Sequence, residues 1–168
     1  MKVILYMAIS ANGMIADTDG GASWITETEN KSYGRICRAA GCLVVGHRTY
    51  QILITLPEFA ELQGVRVVVV SKNGLITENP DHLVVHSPKE ALEKLKDFAT
   101  VVVAGGGMLN ASFLEQQLID EIYLDVEPIV LGKGIKLFAD GDFEAKLELI
   151  DTKQLSPNEI QLHYKIVR

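Results

Sequence analysis

Apolar residues in this chain fall into short unbroken runs separated by polar segments with helical spacing. Lys2–Ile9, Cys42–Val45, Val65–Val70, His82–Val85 and Val101–Ala104 are runs of the kind that strands buried on both faces show. Between them lie segments with helix punctuation. Thr26-Glu27-Thr28-Glu29 is a capping box, which predicts a helix from there to about Ala40, ended by Gly41. Gly46–Tyr50 opens a second helix that stops before Pro57, and Ser87-Pro88 caps a third over Lys89–Lys96. A fourth helix follows Gly105-Gly106-Gly107, and Met14–Ala16 is a short extended piece. The run from Ile122 to the glycine at Gly132 reads as one more strand. Lys146–Leu155 and Glu159–Val167 alternate more clearly and flank Ser156-Pro157-Asn158, so they form a terminal hairpin. Strands that alternate with helices imply an α/β fold. Its central sheet is mixed but mostly parallel, flanked by helices, and ends in a C-terminal antiparallel hairpin.

Composition narrows the picture. A chain of 168 residues builds one domain with a substantial core, here spanning 1–168. Its net charge of -6 argues against a general nucleic-acid binder while leaving room for one basic pocket. The apolar N-terminus, Met1–Tyr6, is too short for a signal sequence or a membrane span, so the expected location is cytoplasmic, with no membrane partner. Cys37 and Cys42 are expected as two buried free thiols. Asp17–Gly21 is a turn; it lacks the later ligands and closing glutamate of a calcium loop, and no metal site is expected.

The chemistry gathers at strand ends. In open α/β sheets ligands collect at the carboxyl ends of the parallel strands. Those ends carry Gly46-His47-Arg48-Thr49, Ser71-Lys72, His86-Ser87 and Gly105-Gly106-Gly107. Small or hydroxylated residues beside a helix start or a cation make a cradle for a pyrophosphate and one further phosphate. The glycine run matches neither the Rossmann nor the Walker spacing. Asp125 and Glu127, two apart on one strand, share a face that approaches the same region.

Taken together, Ala8–Gly13 with Ile15-Ala16, Trp24–Thr26, Val45–Thr49, Val67–Ser71, Val103–Gly107 and Asp120–Ile122 with Pro128–Gly132 resemble the dihydrofolate reductase-like superfamily. The ordered set is most similar to its RibD C-terminal branch, the reductase domain of riboflavin biosynthesis. The resemblance implies an NADPH-dependent reductase acting on a small heterocyclic or carbonyl substrate. It implies that His47, Arg48 and Thr49 contact the cofactor phosphates beside Gly46, with Ser71, Lys72 and Ser87 on the adenosine side. Gly105, Gly106, Gly107, Met108 and Leu109 would hold the pyrophosphate, with a cis Gly105–Gly106 bond. Ala8, Ile15 and Ala16 would line the nicotinamide. Glu29 occupies the spacing after Trp24 at which folate-type enzymes carry a catalytic carboxylate, with Glu27 as competitor and Glu127 as the second acid candidate. The Asp-Asp-Pro segment of the riboflavin reductases is replaced by Tyr50–Pro57, which leaves a dihydrofolate or pterin reductase as an alternative. A nucleotide-binding module without catalysis is the alternative of another class. The family, and the apolar Ile129-Val130-Leu131, suggest a homodimer.

Overall fold

The computed structural model describes residues 1–74, 77 and 79–168. The first strand, β1 (Lys2–Ser10), runs through the middle of the sheet. Val3 and Leu5 point into the core on one side, and Ile4 and Tyr6 into the core on the other. The expectation of burial on both faces therefore holds. After the short β2 (Met14–Ala16), α1 (Glu27–Ala40) begins at the N-cap Thr26, whose side chain accepts from the Glu29 N–H. It ends at Gly41, where φ is 75° and only glycine is unstrained.

The chain continues through β3 (Cys42–Gly46), α2 (His47–Leu53) and a 3-10 helix over Pro57–Leu62 to β4 (Arg66–Val70) and β5 (Leu83–Val85). Next come α3 (Pro88–Lys94), β6 (Thr100–Val103), α4 (Gly107–Glu115) and β7 (Glu121–Glu127). The two-residue β8 (Ile135–Lys136) pairs with β2, and β9 (Lys146–Ser156) and β10 (Glu159–Val167) form the terminal hairpin.

The large sheet has the order β5-β4-β3-β6-β1-β7-β10-β9. Its first six strands are parallel, and β10 and β9 are antiparallel. Strand β6 inserts between β3 and β1, so the glycine run that follows it emerges at the centre of the sheet. Helices α3 and α4 cover one face through Ala91, Leu109 and Phe113. Helices α1 and α2 and the 3-10 turn cover the other through Cys37, Tyr50 and Leu62. Both cysteines are buried and free.

Three boundaries differ from the sequence reading. Strand β7 stops at Glu127 instead of running to Gly132, because Pro128 has no N–H for the ladder and Ile129 N–H turns back to Glu127 O at 2.8 Å. Helix α3 ends at Lys94, two residues early. The segment before β4 folds into a 3-10 helix with Pro57 in its first turn.

Candidate functional site

The glycine run packs against the end of β3. Ala104 N–H donates to Val44 O at 3.0 Å and Gly46 N–H to Gly105 O at 2.7 Å, which holds the two strand ends side by side. Each glycine answers a separate demand. Gly105 has φ +88°, and a Cβ there would stand 3.2 Å from the Met7 thioether. The Gly105–Gly106 peptide is cis, as expected. A Cβ on Gly106 would lie 3.1 Å from Thr49 Oγ1, and one on Gly107 would fall 2.5 Å from the Lys136 carbonyl.

Gly106 is the N-cap of α4 and offers no side-chain cap, so the first-turn N–H groups lack the partner that a Ser or Asp would supply. A helix start with uncapped N–H groups, bordered by the Thr49 hydroxyl, suits an anion. Ile15 Cδ1 stands 4.0 Å from the place where a Gly106 Cβ would be, so β2 borders this helix start. Met108 is 77% exposed, whereas the Leu109 side chain lies in the core and can contribute only its backbone.

At the next strand ends, Ser71 is buried and holds its neighbours in place. It donates to Gly74 O at 3.0 Å and its Oγ lies 3.0 Å from His47 Nδ1, while its carbonyl accepts from His86 Nδ1 at 3.1 Å. Lys72 is exposed, with no ion pair among the described residues. Arg48 donates to the Asp19 carbonyl at 2.8 Å and so braces the loop between β2 and α1. The Ser87 hydroxyl accepts from Glu90 N–H as the cap of α3. Of the residues expected here, Thr49 lies against Gly106 and Lys72 is unpaired among the described residues, while His47, Arg48, Ser71 and Ser87 all carry structural bonds.

Beneath α1, four acidic side chains are buried together: Glu29, Asp125, Glu127 and Glu159. Asp125 accepts from the Tyr6 hydroxyl and, at 2.7 Å, from Gln161 Nε2, so both its oxygens face donors and its charge is satisfied. Burial pushes the Glu29 carboxyl up to about 8, with the charges of Asp125 and Glu127 adding to it and the Tyr6 hydroxyl opposing. Burial also raises Glu127, against the Thr26 backbone N–H. Burial raises Asp125 as well, against the hydrogen bonds from Tyr6 and Gln161, so the acidic side chains of this pocket are all shifted toward the neutral form, Glu159 excepted. Ala8 faces Asp125 across the β1–β7 ladder. The nearby Trp24 Nε1 is buried without a hydrogen-bond partner among the described residues.

Glu27, the competitor of Glu29, points to solvent and pairs with Lys31 at 2.6 Å. Tyr6, Gln161 and Glu159 escaped the sequence reading. Their signal was the hairpin register, since Glu159 and Gln161 share one face of β10 and Gln161 stands opposite Asp125.

Residues 1–161 match the model of the RibD C-terminal domain. The chain belongs to the RibD C-terminal domain family. It is 30% identical over 169 residues to the uncharacterized protein YwjB of Bacillus subtilis, covering 97% of each chain. It is also 30% identical over 132 residues to dihydrofolate reductase type 1 of Escherichia coli, covering 76% of this chain and 78% of the relative. The fold of dihydrofolate reductase from Enterococcus faecalis, solved with NADP(H), superposes with a TM-score of 0.76 at 17% identity, covering 98% of this chain and 96% of that one. The family and the neighbours named for an activity are reductases, and the dihydrofolate reductase-like fold expected from the sequence is present.

Proposed function

We propose that the protein is an NADPH-dependent reductase that transfers a hydride to a small heterocyclic or carbonyl substrate. One observation carries this reading: a single strand, β1, runs between the glycine run and the acidic pocket. Met7 touches Gly105, and the hydroxyl of the preceding Tyr6 touches Asp125 in the acidic pocket. NADPH, when bound, supplies the hydride. The backbone of Gly106, Gly107, Met108 and Leu109 would hold its pyrophosphate. Gly46, His47, Arg48, Thr49, Ser71, Lys72 and Ser87 would surround the adenosine phosphates, while Ala8, Ile15 and Ala16 line the nicotinamide.

The chain's own chemistry is then orientation and proton supply. As a hydride reaches the carbon of a C=N or C=O group, the nitrogen or oxygen gains an electron pair, and Glu29 delivers a proton to it. Glu29 regains its proton from solvent. The buried, protonated Glu29 specifically favours a dihydrofolate or pterin substrate among the heterocycles, as does the likeness to dihydrofolate reductase type 1.

We also propose that the protein is a cytoplasmic homodimer. Two buried free thiols suit a reducing compartment. Edge strand β9 is paired with β10 on one side and offers a second copy the outward-facing N–H and C=O groups of the other, with Leu149 52% and Ile150 48% exposed. Among the described residues, no helix is long and apolar enough to cross a membrane.

Calorimetric titration with NADPH and NADH, followed by NADPH oxidation assays with dihydrofolate, tests the reading. NADPH binding that exceeds NADH binding, together with turnover, supports it. Binding without turnover of any heterocycle or carbonyl would favour the non-catalytic module, and no binding of either nucleotide would overturn the cofactor assignment.

A further inference from the structure

The Thr26 hydroxyl faces two carboxyl oxygens, and one proton cannot serve both contacts fully. Thr26 Oγ1 accepts from Glu29 N–H at 3.2 Å. The same oxygen lies 3.2 Å from Glu127 Oε1 and in hydrogen-bond contact with Glu159 Oε1. A hydroxyl has one proton to give and here faces two carboxyl oxygens. If it donates to Glu159, then Glu127 must itself carry a proton and donate back to Thr26 Oγ1. Glu127 Oε1 meanwhile accepts from Thr26 N–H at 3.4 Å.

The remaining oxygen, Glu127 Oε2, is buried with no hydrogen-bond partner among the described residues. A neutral carboxyl tolerates an unpaired carbonyl oxygen far better than a buried carboxylate tolerates an unpaired charge. Glu127 is 1% and Glu159 6% exposed, and neither has a cationic partner among the described residues. The titratable and polar groups that face the pair are Glu29 on α1, Asp125 on β7, and Thr26 and Ser156.

We propose that Glu127 and Glu159 hold one proton between them and, through Thr26, clasp the start of α1 to β7 and β10, thereby fixing the Glu29 carboxyl in its pocket. Both are positioning residues. Neither needs to touch substrate, because the clasp acts through the N-cap of the helix that carries Glu29. That Glu29 is the proton donor rests on the reductase reading, whereas the shared proton and the clasp do not. Burial raises Glu127, while its hydrogen bonds to Ser156, Thr26 and Glu127 bring Glu159 below the ordinary range against the opposing effect of burial. These directions agree with the proton residing on Glu127.

The test uses the full chain with 13C-labelled glutamate and needs neither cofactor nor substrate. Carboxyl carbon shifts are followed against pH, together with hydrogen-exchange protection of the Glu29 amide. Glu127 is expected to titrate above the ordinary carboxylate range. As it loses its proton, Glu29 amide protection should fall by about tenfold, the scale of a lost N-cap. In Glu127→Gln, whose amide can donate to Thr26 in place of the carboxyl proton, protection should persist and no longer depend on pH. In Glu127→Ala it should be lost at every pH, with the Glu29 titration moving toward its ordinary value as water enters. Thr26→Ala, which removes the hydroxyl at a half-buried position, should also lose the protection. Titration of Glu127 in the ordinary range, or equal Glu29 protection in the Ala, Gln and native chains, would overturn the proposal. Failure of the NADPH titration would leave these signals untouched.

Discussion

Glu29 is held near 8 because burial and the neighbouring charges of Asp125 and Glu127 disfavour its ionised form. An unfolded chain would release that proton near 4.5. Between those two values the folded state binds more protons than the unfolded state, so stability falls as pH rises through that window. Glu29→Gln removes the titration and should recover part of a loss on the order of 5 kcal/mol at pH above 8, with little effect at pH 4, as read by thermal melts. The same substitution should lower turnover by roughly 10²-fold or more while leaving NADPH affinity unchanged, as expected when a general acid is removed. The native rate should decline as pH rises through about 8. On the cofactor side, Lys72 is exposed and has no ion pair among the described residues, so Lys72→Ala should weaken NADPH binding by about tenfold with no change for NADH. Arg48→Ala would also release the Asp19 carbonyl and is the less clean variant.

At the scale of elements, α4 and β8 meet where Gly107 lies against the Lys136 carbonyl. Backbone stands there, and backbone cannot swing aside as a side chain would. Gly107→Ala should therefore lower stability by roughly 1–3 kcal/mol and NADPH affinity with it, measured by denaturant melts and calorimetry. Most elements were legible in the sequence because each announces itself locally. The Thr26 N-cap, the Gly41 stop and the unbroken valine runs fix their own conformations, although the return half of the expected capping box is replaced by Thr26 N–H donating to Glu127. Strand β8 was not legible, since two residues that pair with β2 have no local pattern to show. Nor was the end of β7, where the apolar run continues through Pro128 and the pattern masks the missing N–H. The meeting of the glycine run with the end of β3 could be anticipated because glycines and cations cluster at the strand ends. The acidic pocket was only half visible. Glu29 and Asp125 have recognisable positions, but Tyr6 hides inside an apolar run, and Glu159 and Gln161 join the site only through strand pairing across 30 or so residues of intervening chain.

For the whole molecule, the sheet is closed at neither edge. Among the described residues β9 pairs only with β10, and it carries Leu147, Leu149 and Ile150 in solvent. A long exposed edge of this kind is normally covered or guarded by charge. The native chain should sediment as a dimer, and Leu149→Lys with Ile150→Lys should give a folded monomer with unchanged circular dichroism. Monomeric behaviour of the native chain across a concentration series would remove the dimer from the proposal.

The position of β1 has a consequence for synthesis. Its neighbours on the two sides, β6 and β7, are made about a hundred residues later. While the ribosome works through the first half of the chain, that strand, apolar from Val3 to Ile9 apart from the Tyr6 hydroxyl, has neither partner. β3, β4 and β5 can associate with one another, but the strand that will anchor both halves of the site must wait for the glycine run to emerge. The nascent chain thus presents a sticky unpaired segment for most of its synthesis time, and a chain released before residue 103 should be captured by chaperones rather than fold.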